Sequence, residues 1–313
     1  MPNFKISAAL YALIILLFSA CGKVNTPAPE VKPVDSAAVK EPHVYLIGTT
    51  WSEADKKYNA FAWKDGNLAF LNSSDEVGSA MSIAVQGGDI FVGGYIKKPS
   101  NESQVATYWK NGIPTTIEAD QEFGSSVQNI AVSGNDVYAV GWVNGAAKYW
   151  KNGISHLLQS PSMRNTAKAV AVKGDDLYIG GYYTDPDTKK SVPAYWKNDV
   201  LVNLPAPAGH HGMVNDIAIK GNDIYAVGYT LEVDGKNEVA TYWKNGKRVA
   251  LSDDSRSSSI SCITISGDDI YMAGEVDRST MVCWKNDKII FTDNKPASEY
   301  TYGNEIFIYK KDI

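Results

Sequence analysis

The chain has 313 residues, 44% hydrophobic and 21% charged, with a formal net charge of -5. That composition excludes a disordered or collagen-like chain. The mild acidic balance argues against a nucleic-acid partner, whose phosphates need a cationic surface.

Residues 1–20 read as a signal peptide. Lys5 supplies a positive start, and residues 8–18 form an apolar stretch too short to span a membrane comfortably. Ser19 and Ala20 then lead into Cys21. Small residues before a cysteine resemble the lipobox of bacterial lipoproteins; a plain secretory signal with an incidental cysteine is the alternative. The resemblance implies cleavage before Cys21, acylation of its thiol and new amine, and anchoring in a lipid bilayer. Gly22 follows where Asp would favour inner-membrane retention, so the same resemblance points to the outer membrane of a Gram-negative envelope, periplasmic or surface-exposed. Several acyl chains hold stably, at about 0.8 kcal/mol per buried methylene. Residues 22–42 carry four prolines and no aromatic residue. With Cys21 they form an extended, semi-rigid tether, spanning roughly 3 Å per residue.

From residue 43 the chain repeats itself. A Trp-Lys-Asn/Asp-Gly/Asp unit recurs at Trp63, Trp109, Trp150, Trp196, Trp243 and Trp284, at spacings of 46, 41, 46, 47 and 41. Upstream of five of them stands Asp-(Ile/Val/Leu)-(Tyr/Phe)-x-x-Gly: DIFVGG at 89–94, DVYAVG at 136–141, DLYIGG at 176–181, DIYAVG at 223–228 and DIYMAG at 269–274. HVYLIG at 43–48 is the sixth copy, with His43 in place of Asp. An alternating β-branched segment precedes each later copy: SIAVQG, NIAVSG, AVAVKG, DIAIKG and CITISG. Each unit therefore reads as four short strands, A to D. Asn-Gly between C and D suits a two-residue type I′ turn, and Gly-Asn between A and B is expected to serve similarly.

Four antiparallel strands every 40–50 residues describe a β-propeller blade. The first copy lacks strand A, and the C-terminal EIFIYKKDI at 305–313 aligns with DIAIKGNDI at 216–224. The expected fold is all-β: a six-bladed β-propeller over 43–313, closed by the C-terminal strand joining the N-terminal blade. The units resemble those of six-bladed propellers in bacterial envelope lipoproteins bearing Tyr-Trp-Lys-Asn-Gly repeats, which implies the fold and no activity. A looser likeness to Kelch repeats rests on Gly93-Gly94 and Gly180-Gly181.

Residues present in every unit are expected to hold blades together. The six tryptophans should pack between sheets, contributing about 2–3 kcal/mol each. The repeated Asp89, Asp136, Asp176, Asp223, Asp269 and Asp312 should accept backbone N–H bonds at the tight turns. Repeat lysines such as Lys110 and Lys244 should be solvated. Cys262 on strand A and Cys283 on strand C of one blade should remain thiols, since strand B separates them by about 10 Å.

Function is expected on the face carrying the B–C and D–A loops, which vary while the other turns stay uniform. The residue after the strand B glycine is Thr49, Tyr95, Trp142, Tyr182, Tyr229 or Glu275. The residue expected to open strand A nearest the channel is Ser82, Asn129, Ala169, Asp216, Cys262 or Glu305, with Gln128, Lys168, Asn215 and Asn304 beside it. Aromatic faces next to amides and carboxylates suit a sugar or polar peptide. The ligand-binding candidates are Trp51, Tyr95, Asn129, Trp142, Tyr182, Asn215, Asp216, Tyr229 and Glu305, and Tyr300 and Tyr302 exceed the repeat pattern. No nucleophile elbow, zinc-protease, Walker or Cys-x-x-Cys motif occurs, and no cofactor or metal is implied. His210-His211 lacks a third ligand. The expected function is therefore a membrane-anchored binding or scaffold lipoprotein recognising a glycan, peptide or envelope protein. One alternative is an envelope hydrolase or lyase using an Asp216–Glu305 acid pair. The other is a structural envelope assembly factor.

Overall fold

Among the described residues the short alternating segments become strands, each paired with its sequence neighbours. The structure is a computed structural model; it describes residues 45–97, 103–118, 123–207, 211–231, 236–253, 255–277 and 280–293. The first sheet contains β1 (Tyr45–Ser52), β2 (Lys57–Lys64) and β3 (Asn67–Phe70). The second runs β4 (Val77–Gln86), β5 (Asp89–Lys97), β6 (Val105–Lys110) and β7 (Ile113–Glu118). The third runs β8 (Ser125–Ser133), β9 (Asp136–Val143), β10 (Ala146–Lys151) and β11 (Ile154–Leu157). The fourth runs β12 (Asn165–Lys173), β13 (Asp176–Thr184), β14 (Ser191–Lys197) and β15 (Val200–Asn203). The fifth runs β16 (Gly212–Lys220), β17 (Asp223–Leu231), β18 (Glu238–Lys244) and β19 (Lys247–Ala250). The sixth runs β20 (Ser258–Ser266), β21 (Asp269–Val276), β22 (Thr280–Lys285) and β23 (Lys288–Asp293).

Each sheet is an antiparallel meander. Successive sheets pack through their first strands: β4 on β2 and β8, β8 on β12, β12 on β16, β16 on β20. Those five inner strands surround one central cavity. The fold is a six-bladed β-propeller, as the repeat implies. The predicted closing strand at 305–313 lies outside the described residues, as do residues 1–44 with Cys21.

The turns follow their chemistry. Between C and D, both central residues have positive φ, as in Asn111 (52°) and Gly112 (81°), which is the type I′ pattern. Between A and B, positive φ falls on the first central residue alone in four blades, at Gly134, Gly174, Gly221 and Gly267. That is the type II′ arrangement, and among the described turns between A and B only Gly87-Gly88 has both.

Two expectations about the repeat are corrected. Asp89 does not accept backbone N–H bonds: its carboxylate takes Lys110 Nζ at 2.8 Å and Asn111 Nδ2 at 2.8 Å. Asn111 Oδ1 accepts the backbone N–H of Ile90 instead, at 2.9 Å. Nor is Lys110 simply solvated, because it also lies 5.2 Å from the centre of the Phe91 ring. The same Asp–Lys–Asn cluster recurs with Asp136, Asp176, Asp223 and Asp269. Lysine first and asparagine second hold each of these carboxyls below its ordinary range. One pattern, Asp–Ile–Tyr with Trp–Lys–Asn, thus ties the second and third strands of a blade at the turn end.

The tryptophans join blades. Trp109, Trp150, Trp196, Trp243 and Trp284 are fully buried, whereas Trp63 is half-buried. Four of the indoles donate to the loop or strand end closing the preceding blade: Trp109 to Leu71 O, Trp196 to Gln159 O and Trp243 to Pro205 O, each at 2.7 Å, and Trp150 to Glu118 Oε2 at 2.8 Å. The packing surface and the buried donor are satisfied by the same neighbour.

Cys262 and Cys283 form no disulfide, and both are half-buried. Ala273 pairs with Cys262 on one side and Cys283 on the other, so the two thiols are two strand spacings apart.

Candidate functional site

The site begins with a backbone irregularity. The first strand of every later blade carries a β-bulge, at 80/82, 127/129, 167/169, 214/216 and 260/262. Strand A therefore starts four or five residues earlier than the sequence reading placed it, and Ser82, Asn129, Ala169, Asp216 and Cys262 stand just past the bulge rather than at a strand end. The reason lies in the neighbouring strand. A Cβ on Gly94, Gly141, Gly181, Gly228 or Gly274 would stand 1.9–2.0 Å from the carbonyl oxygen of Ser79, Ser126, Thr166, Met213 or Ser259. The bulge presses a carbonyl onto strand B, and only glycine leaves room. This is the physical content of the final glycine in each Asp-Ile-Tyr-x-x-Gly motif. The preceding position answers a different neighbour. A Cβ on Gly93 or Gly180 would meet Val127 or Val214 of the next blade at 2.6–2.7 Å.

A bulge adds one residue and re-aims it. The extra residues are Met81, Gln128, Lys168, Asn215 and Ser261, and all five line the central cavity. The cavity measures about 800 Å³. Ser82, Asn129, Asp216 and Cys262 line it too, and Tyr229, Glu238, Ser259 and Glu275 contribute from the loop-bearing end.

The predicted candidates divide. Asn129, Asn215, Asp216 and Tyr229 come together on this cavity. Tyr95, Trp142 and Tyr182 are half-buried and lie outside its lining. Trp51 is 43% exposed, donates to Glu53 Oε1 at 2.9 Å and meets Tyr58 edge-on, also away from the cavity. Glu305, Asn304, Tyr300, Tyr302 and His210 fall outside the described residues. Glu238 and Met81 carried no signal in the repeat reading. Glu238 opens β18, in the most variable loop region, and Met81 occupies the bulge position that the strand alignment skipped.

Asp216 is engaged in the fold. Oδ1 accepts the N–H of Ile217 at 2.8 Å, and Oδ2 accepts that of Ile263, in the next blade, at 2.9 Å. Ser82 Oγ makes the same blade-to-blade bond to Ile130 N at 3.3 Å. Ala169 has no oxygen to offer Ile217, which explains why Asp216 serves its own neighbour as well. Burial pushes the Asp216 carboxyl up to about 6 from its ordinary 3.8, opposed by the N–H bonds of Ile263 and Ile217.

The sign of the pH effect follows. Between pH ~4 and ~6 the folded chain holds a proton that the unfolded chain releases, so stability falls as pH rises through that window. Relative to Asp216→Asn, the native chain should lose up to about 3 kcal/mol between pH ~4 and ~7, read from urea midpoints. A difference that stays flat with pH contradicts the burial argument.

Among the described residues, no group of three or more His, Cys, Asp or Glu side chains is placed to hold a metal ion. No helix of the described residues is long and apolar enough to cross a membrane.

No protein-family model and no curated protein matches the chain. Solved structures do resemble it. A chain of the nidogen/laminin complex is 14% identical, with 80% of this chain and 93% of that one covered and a TM-score of 0.48. A chain of the mitotic checkpoint complex is 15% identical, with 90% of each covered and a TM-score of 0.47. The structure of YjhT is 13% identical, with 82% and 96% covered and a TM-score of 0.43. The ring assignment stands on the chain's own sheets and cavity.

Proposed function

We propose that this protein is a membrane-anchored binding or scaffold lipoprotein of the cell envelope that receives a polar ligand, glycan or peptide, in the mouth of its propeller channel. The observation that carries the reading is the bulge ring. Five consecutive blades each spend a backbone irregularity on aiming one side chain into one cavity, and four of those side chains are polar. A ring needing only to hold itself together has its apolar contacts between sheets, as in the clusters around Trp109, Trp196 and Trp284. Polar groups around a concave space are what a ligand site requires. The Asp216 carboxylate is occupied by two backbone N–H groups, which favours binding over acid–base chemistry at that residue.

The anchoring half of the proposal rests on Cys21 and the proline-bearing segment behind it. The full-length chain in detergent should be screened on glycan and peptide arrays beside a Ser261→Trp variant, whose indole plugs the channel. Binding that survives the plug sinks the channel reading. Palmitate incorporation in cells should be lost with Cys21→Ser; incorporation that persists removes the lipid anchor.

A further inference from the structure

We propose that the ligand of the channel is a small polyhydroxylated acid whose carboxylate binds Lys168; the inference rests on the channel being a binding site. Lys168 is the bulged residue of β12 and the lysine of the cavity wall. Its Nζ donates to Asn215 Oδ1 at 2.9 Å and touches Met213 Sδ at 3.3 Å. Asn215 is held in that orientation, because its Nδ2 donates to Ile260 O of the next blade at 2.9 Å. The side chain is therefore fixed on the wall by a bond chain crossing three blades.

An ammonium has three N–H donors and no acceptor role. Among the described residues no carboxylate oxygen lies within 4.0 Å of Lys168 Nζ. Five of the six repeat lysines differ: Lys110, Lys151, Lys197, Lys244 and Lys285 each have an aspartate oxygen at 2.7–2.8 Å. Burial pulls the Lys168 ammonium below the ordinary lysine range, and the more distant Glu238 opposes that pull. A partly desolvated cation, pinned by an amide and lacking a close counter-ion, is arranged to meet a carboxylate from outside.

The rest of the lining narrows the class. Glu238 and Glu275 face the same cavity and disfavour a polyanion. As acceptors they suit hydroxyl groups, as do the amides of Gln128 and Asn129. Tyr229 offers a ring edge or face to a sugar-like skeleton. One carboxylate with several hydroxyls answers both the lysine and the amides of Gln128 and Asn129, whereas the chain of a fatty acid offers those amides nothing.

The test uses the full-length chain in detergent carrying 13C-labelled lysine with unmodified ammonium groups, the Lys168 ε-methylene signal being the one absent from Lys168→Met. Acetate, D-glucuronate and D-glucose are titrated against chloride at matched ionic strength. The expected result is a saturable shift of the Lys168 signal with acetate and D-glucuronate, with D-glucuronate at least tenfold tighter than D-glucose. In Lys168→Met, equilibrium dialysis should show the two sugars binding within about twofold of each other. A response to the acids that merely matches chloride, or no response at all, overturns the proposal. D-glucose binding as tightly as D-glucuronate also overturns it while leaving the channel as a binding site. Array binding that survives the Ser261→Trp plug marks failure of the underlying reading instead.

Discussion

Trp196→Ala is expected to destabilise the propeller by about 4 kcal/mol, read as a lowered urea midpoint. The indole is fully buried between the third and fourth blades, and its Nε1 donates to Gln159 O at 2.7 Å. Truncation opens a cavity in the cluster that holds Val140, Ala167 and Ile179, and leaves the Gln159 carbonyl without that donor. Trp196→Phe retains most of the packing and should lose only about 1–2 kcal/mol. The same ordering is expected at Trp243, whose indole meets Pro205 O in the same way. An alanine variant within about 1 kcal/mol of the native chain contradicts the role of the repeat tryptophan as the clasp between blades.

The second large effect is expected at a glycine. Gly228→Ala places a Cβ 2.0 Å from Met213 O, a backbone atom that cannot swing aside. Relieving the clash means undoing the bulge at 214/216, which shifts Asn215 and Asp216 out of the channel wall. We expect a loss of about 3 kcal/mol or more, together with loss of channel binding. The turn provides a contrast. A Cβ on Gly246 meets nothing within 4 Å, and only its φ of +78° is unfavourable to alanine. Gly246→Ala should therefore lose about 1–2 kcal/mol and leave channel binding intact. Equal effects at the two glycines contradict the steric account of the bulge.

Much of the architecture was legible because the repeat is a local code. Asn-Gly demands positive φ at two successive residues, so it marks a tight hairpin wherever it falls. Tyr-Trp-Lys before it and Asp-Ile-Tyr before that set the strand register through alternation alone. The roles of Asp89 and Lys110 were less legible. A carboxylate beside a turn has several donors in reach, and the sequence does not say that Asn111 already serves the Ile90 N–H. The bulge was harder still. The similarity of SIAVQG to its copies begins after it, so in sequence Ser82 and Asn129 look like strand ends. Its one trace was the strand B glycine, present in every copy without a turn to explain it.

The candidate site shows the same divide. Asn129, Asn215, Asp216 and Tyr229 stand out from their columns in the repeat, and they share one cavity. Tyr95, Trp142 and Tyr182 occupy the same column as Tyr229 and yet stay outside its lining. Being in one column of a repeat sets the height of a residue in its blade, while its distance from the axis depends on what the neighbouring blades leave open.

The chain alone thus carries the four-strand unit, the blade period, the tight turns and the tryptophans between sheets, because each depends on contacts between residues close in sequence or repeated at a fixed interval. Which side chains meet across the axis was settled only by packing. Lys168, Asn215 and Ile260 belong to three different blades, and they come within hydrogen-bond reach because the bulges turn the Lys168 and Asn215 side chains inward, where Asn215 meets the backbone carbonyl of Ile260, once the sheets are arranged around the channel.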